Sequence, residues 1–150
     1  MRYRVTLTPT ADGNLIAELP DFPGVFSQGA NREEALAMVL DAALTMCAQH
    51  ILDKDSIPAA SKTARKDDSI ELPPLAVAKV AIHNAMVEQG VSQLALAERL
   101  HTDAKSVRRL LDLDHKSKWD HLERALASLG YVIHAHAERS ASLPGFHGAS

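Results

Sequence analysis

Ser92-Gln93-Leu94-Ala95-Leu96-Ala97-Glu98-Arg99-Leu100-His101-Thr102-Asp103-Ala104-Lys105-Ser106-Val107-Arg108-Arg109-Leu110-Leu111 reads as two short helices joined by a tight turn. Ser92 is placed to cap the first helix and Asp103 the second, because a short side-chain oxygen just ahead of a helix accepts from the free amides of its first turn. Leu96, Leu100, Val107 and Leu110 supply a shared core, and Ala97 falls where helices meeting at a steep angle come closest, so a small residue is wanted. From Ala104 onward, Lys105, Ser106, Arg108 and Arg109 turn outward, while Val107, Leu110 and Leu111 turn inward.

This spacing resembles the Xre/Cro-type helix-turn-helix, over roughly residues 75 to 130. The shared features are the Ser-Gln start, the Leu-Ala pair, the short turn and a Val four residues past the second cap. The resemblance implies a recognition helix in which Lys105, Ser106, Arg108 and Arg109 meet base edges and phosphates. It also implies that Gln93 anchors to a backbone phosphate beside the free amides of its helix, with Lys116 and Lys118 as further phosphate contacts. A basic helix face taken alone is more often merely solvated; here caps, small residue and apolar spacing agree, which favours DNA. The family usually has Gly where this chain has His101, a turn that often needs a left-handed backbone. Such proteins usually bind as dimers with half-sites about 34 Å apart, so a homodimer or higher assembly is expected.

The whole chain has 150 residues and a formal net charge of -3, so any nucleic-acid surface must be local. Residues 1 to 53 hold three basic and seven acidic residues, whereas residues 75 to 150 hold nine basic and eight acidic. That asymmetry points to different partners for the two halves. With 4% aromatics, the core must be mostly Leu, Ala, Val and Ile. The single cysteine, Cys47, lies on the apolar side of a predicted helix and reads as a core residue. No signal segment opens the chain and no apolar run approaches the roughly 18 residues needed to span a bilayer; the expectation is a cytoplasmic protein without membrane contact.

Towards the N-terminus, Tyr3, Val5 and Leu7 alternate with polar residues over 3 to 8, the pattern of a half-buried strand. The Asp12-Gly13 turn then leads into a second strand over Leu15 to Leu19. Two prolines and a glycine make Pro20 to Gly24 a rigid loop before a third strand from Val25 to Gln28. Asn31 caps a helix running from Arg32 to about Leu52, with Glu34 returning the capping-box bond. Its apolar stripe is Leu36, Val39, Leu40, Ala43, Cys47 and Ile51, which calls for a sheet beneath it. Residues 54 to 69 are polar and aperiodic, Ile70 to Leu72 can add a last short strand, and Pro73-Pro74 stiffens the exit. Past that break come an amphipathic helix over 75 to 89 ended by Gly90, the two short helices, and another helix from about Lys118 to Leu129 before Gly130. Residues 131 to 137 have the character of a strand through which two copies could pair.

The run Glu18-Leu19-Pro20-Asp21-Phe22-Pro23-Gly24-Val25-Phe26-Ser27-Gln28-Gly29-Ala30-Asn31-Arg32-Glu33-Glu34-Ala35 is similar to the signature of HicB antitoxins, a match covering about residues 1 to 72. It departs at Val25, where Cys is frequent, and at Ala30-Asn31, where an acidic residue followed by Ser or Thr is usual. The resemblance implies an α+β chain. A β-β-β-α-β partial ribonuclease-H-like domain at 1–72 has lost catalysis and clamps a small basic ribonuclease toxin of the HicA type. A helix-turn-helix and dimerisation domain follows at 73–139, with a disordered tail at 140–150. An acidic front half suits a basic partner. Asp21, Phe22 and Pro23 either meet the toxin or only set the sheet geometry.

Three functions follow. The first is an antitoxin that neutralises a HicA-type toxin by direct binding and represses its own operon at operator DNA, with no enzymatic activity and no cofactor. The alternatives are a ligand-sensing helix-turn-helix transcription regulator and a nuclease using Asp12, Glu18 and Asp21. His134 and His136 would share one strand face, but two ligands without a third do not make a zinc site, so no metal is expected.

Overall fold

A computed structural model describes residues 1–140; the tail expected from 140 to 150 lies, past Ser140, outside the described residues. The front layer is built from β1 (Arg2–Arg4), β2 (Thr6–Pro9), β3 (Leu15–Glu18), β4 (Phe26–Gly29), α1 (Arg32–Asp53) and β5 (Ser69–Glu71). After it come α2 (Pro74–Gln89), α3 (Gln93–Arg99), α4 (Ala104–Leu111) and α5 (Trp119–Ser128), making a mixed α+β chain.

The first expected strand is divided at Val5, whose amide donates to the Asp68 carbonyl at 2.8 Å. One half, β1, pairs antiparallel with β5 (Tyr3 opposite Ile70), while β2 pairs with β3 and β3 with β4, giving the order β2-β3-β4. Tyr3, Val5, Ala17, Leu19, Phe22 and Val25 point into the core beneath α1.

Asn31 Oδ1 accepts from the Glu34 amide at 2.9 Å, as the cap demands. The buried stripe of α1 is Ala35, Val39, Ala43, Cys47 and Ile51, a strict four-residue spacing, with Leu36 and Leu40 only half-buried at its margin. Ala35 displaces the larger Leu36 because β4 comes very close: a Cβ on Gly29 would sit 2.4 Å from the Ala35 amide nitrogen. Burial also pushes the Cys47 thiol up to about 11, consistent with an inert core cysteine. One expectation needs correcting: α1, rich in alanine and leucine, is long and apolar enough to cross a membrane. In this fold its stripe is spent on the sheet.

A second correction concerns α2. The segment is less amphipathic than expected: Ala76, Ala78, Lys79, Val80, Ile82, His83, Ala85 and Met86 are buried over more than half of its circumference, leaving Pro74, Val77, Ala81, Asn84 and Glu88 as the half-buried to exposed face. α4 and α5 pack on it from one direction, and the polar segment after α1 from another. His83 Nε2 donates to the Asp55 carbonyl at 2.6 Å, and Asn84 both accepts from the Ile57 amide (2.8 Å) and donates to its carbonyl (3.0 Å). The same segment is held to the front layer, by Tyr3 Oη donating to the Pro58 carbonyl and by the Ser61 amide donating to Asp21. Residues 55–61 therefore strap the front layer to α2.

Helix ends follow local chemistry. Gly90 and Gly130 stand left-handed after α2 and α5, and each is followed by an amide bonding back into the last turn (Val91 to Met86, Tyr131 to Leu126, both 2.9 Å). That is the paired Schellman closure. α1 and α3 close the same way through Lys54 (φ 59°) and His101 (φ 54°), with Thr102 donating to Ala97 at 2.9 Å. A side chain in this backbone region is strained by about 1 kcal/mol. His101→Gly should thus raise stability by about 0.5 kcal/mol once the extra chain entropy of glycine is subtracted; a lower urea midpoint for the variant would refute the strain.

Residues 131 to 137 form no strand in the single chain and are mostly exposed. The reason is backbone pairing: among the described residues no strand pairs with this segment, and an unpaired strand does not hold.

Candidate functional site

Two capped helices present the basic face. Ser92 Oγ accepts from the Ala95 amide at 3.0 Å and Asp103 Oδ1 from the Ser106 amide at 2.8 Å. Those Ser106 bonds, together with Arg109 and Lys105 nearby, hold the Asp103 carboxyl below its ordinary range. Leu96, Ala97, Leu100, Val107, Leu110 and Leu111 are buried, while Lys105, Arg108 and Arg109 are exposed and Ser106 half-buried.

The seven residues expected to meet DNA do not form one cluster. Ser106, Arg109, Lys116 and Lys118 surround a cavity of about 260 Å³ between α4, the loop after it and the start of α5. Gln93 and Arg108 instead line a groove running towards Lys54 and the end of α1. Lys105 projects from the first turn of α4 and lines neither.

The sequence reading missed Lys79. This α2 side chain is fully buried, and its ammonium donates to the Arg109 carbonyl, the Asp112 carbonyl and Ser117 Oγ, each at 2.8 Å. Desolvation lowers its pKa, opposed by Asp112, while three acceptors hold the cation in place. It ties the C-terminal end of α4 to the loop bearing Lys116. The signal in the sequence was a lone cation in the otherwise uncharged run Leu75 to Val87.

In the front loop, Phe22 is not a surface residue. Its ring is 1% exposed and packs against Tyr3 (centroids 5.8 Å apart) and edge-on to His50 (5.3 Å). Asp21 is half-buried and bound to the Ser61 amide, which lowers its pKa. Pro23 is exposed, and Phe26, an aromatic residue the sequence reading did not single out, is 66% exposed beside it. Asp12 is engaged by Thr10 and Asn14 within its turn. Among the described residues no three of His, Cys, Asp and Glu gather as a metal site, and His136 faces Glu138 at 3.7 Å.

This loop and the elements around it, residues 2–81, match the family model described as the HicB_like antitoxin of bacterial toxin-antitoxin system. The chain belongs to the HicB-like antitoxin family. Among relatives of this antitoxin, "Antitoxin HicB 1" of Photorhabdus laumondii is 34% identical over 133 residues, 89% of this chain and 84% of the relative. "Antitoxin HicB" of Escherichia coli K12 is 34% identical over 130 residues (87% and 94%), and "Antitoxin HicB" of Pseudomonas fluorescens is 35% identical over 122 residues (81% and 84%). An aligned stretch of 130 of the 150 residues must contain α3 and α4, so the alignment runs past the residues that the family model matches.

Proposed function

We propose that this antitoxin neutralises a HicA-type ribonuclease toxin by direct binding and represses its own operon through a helix-turn-helix formed by α3 and α4. The observation that carries the DNA reading is the exposed basic face of a doubly capped α4, with Lys105, Arg108 and Arg109 outward over a buried Val107-Leu110-Leu111 base. Lys and Arg there have the reach for guanine edges and phosphates, and Gln93, Ser106, Lys116 and Lys118 flank them. The chain does no catalysis and needs no cofactor in this reading. A second copy completes the operator-binding unit as a homodimer or tetramer, pairing through the exposed segment 131–137.

The toxin contact through the front loop falls to Asp21 and Pro23, with Phe26 beside them; the side chain of Phe22 is excluded by its burial. An acidic front half favours a basic partner by steering and charge complementarity.

Gel-shift titrations of the upstream DNA of its own operon test the repressor reading. Arg109→Ala and Lys105→Ala should each weaken operator binding by about 1 to 3 kcal/mol; unchanged affinity in both would refute α4 as the recognition helix. Co-purification with the short basic protein encoded next to it tests the antitoxin reading, and the absence of such a reading frame would sink it.

A further inference from the structure

We propose that the cavity between α4, the loop 112–118 and α5 is a binding site for a phosphate group, carried either by a small phosphorylated ligand or by a DNA backbone. The second case rests on the DNA reading above; the first does not.

The lining is one-sided in charge. Arg109, Lys116, Lys118 and Arg124 contribute four cations and His115 and His121 two imidazoles; among the described residues no carboxylate lines the cavity, Asp103 lying near Arg109 but outside the lining. Two hydroxyls, of Thr102 and Ser106, add donors, while that of Ser117 is spent on the Arg109 carbonyl. A merely solvated basic surface is convex and mixed in sign. Here the cations line a concavity of about 260 Å³, with room for a phosphate group.

Two features hold the wall rigid and add to its potential. The buried Lys79 ammonium stands behind it, bonded to Ser117 Oγ and to the Arg109 carbonyl, so an additional positive charge lies under the floor. α5 begins at the rim, and its N-cap, Lys118, offers no side-chain acceptor to the first-turn amides. A phosphate oxygen suits the amides of that turn that remain once the His121 amide bonds the Lys118 carbonyl (3.0 Å), with Asp120 in the same turn opposing it. Arg124 is braced by donation to the Leu100 carbonyl at 3.2 Å, which joins the α5 side to the turn after α3.

Because Ser106 and Arg109 belong to α4, a small anion seated here occupies ground that DNA would use. A phosphorylated ligand would then compete with the operator, and the repressor would have an effector.

The test uses the full chain with inorganic pyrophosphate as probe, followed by calorimetry at low salt and by the fluorescence of Trp119, the single tryptophan, which adjoins Lys118. Lys116→Gln/His121→Gln changes two exposed lining side chains that hold no hydrogen bond or ion pair to the rest of the described chain. Lys62→Gln/Lys66→Gln removes two exposed cations elsewhere as the control. Saturable pyrophosphate binding, weakened about tenfold or more in the lining variant and unchanged in the control, supports the site. If pyrophosphate also displaces operator duplex from the native chain, the ligand is a free one. If pyrophosphate does not bind, but the lining variant alone lowers the slope of log affinity against log salt for DNA by about one, the phosphate is that of the DNA backbone. Neither effect overturns the proposal while leaving the recognition helix standing. Pyrophosphate binding in a chain that binds no DNA overturns the repressor reading and leaves the phosphate site.

Discussion

Lys79→Met should lower the unfolding free energy by about 1 to 2 kcal/mol, because each part-buried acceptor that loses a charged donor gives up a fraction of the roughly 1 to 3 kcal/mol of an unmade bond. Three acceptors lose the ammonium, the Arg109 and Asp112 carbonyls and Ser117 Oγ, although the two carbonyls keep the amides of Asp112 (3.3 Å) and His115 (3.1 Å). The total stays below three full penalties for two reasons. Ser117 Oγ keeps a 3.2 Å bond to the Arg109 carbonyl, and methionine spares the desolvation of an ammonium. The measurement is urea unfolding, read as a shift in midpoint at constant slope. A loss under about 1 kcal/mol would show that the ammonium does not hold the loop. The same substitution should weaken operator binding beyond what the unfolded fraction explains, since the Lys79 anchor sets where Arg109 ends and where Lys116 begins.

Phe22→Ala should cost about 3 to 5 kcal/mol, the usual range for emptying a phenylalanine site in a packed core. The ring has two aromatic neighbours, Tyr3 and His50, so the cavity would lie where β1, the front loop and the end of α1 meet. Phe22→Leu, which nearly conserves volume, should cost under about 1.5 kcal/mol. Phe26→Ser is the contrasting change: with the ring already 66% exposed, stability should move by less than about 0.5 kcal/mol, while toxin capture weakens. Were Phe22→Ala to leave the unfolding midpoint in place, the loop would not be packed as described. Were Phe26→Ser to leave toxin affinity unchanged, the contact would lie elsewhere.

The two residues differ by four positions in one motif, and their fates could not be told apart by residue type. Both are phenylalanines next to turns. Direction is set by the loop backbone between them, where the Val25 amide donates to the Phe22 carbonyl at 3.2 Å and Gly24 takes φ +90°.

Local chemistry was legible where it acts locally. Asn31, Ser92 and Asp103 cap because their oxygens reach amides three residues on, and Gly90 and Gly130 end helices because glycine takes the left-handed backbone without strain. The antiparallel pairing of β2 with β3 follows from alternation and the Asp12-Gly13 turn, and the split at Val5 does not, since it is imposed by β5 arriving from 65 to 69 residues away in the chain (Arg4 opposite Ser69 to Arg2 opposite Glu71). The site was legible as a set of residue types on α4 and its flanks, but not as an arrangement. Grouping Arg109 with Lys116 and Lys118, and Arg108 with Gln93 and the end of α1, depends on how α4, α5 and α1 pack.

By itself, then, the amino-acid order determined the identity of most elements, the caps that bound them and the family signature in the front loop, all of which rest on interactions within a few residues. Tertiary structure alone decided that Lys79 is buried and Phe26 exposed, that residues 55–61 strap the two halves together, and that the cations line one cavity. Those outcomes depend on which surfaces distant segments cover, and a side chain's burial is a property of its neighbours in space.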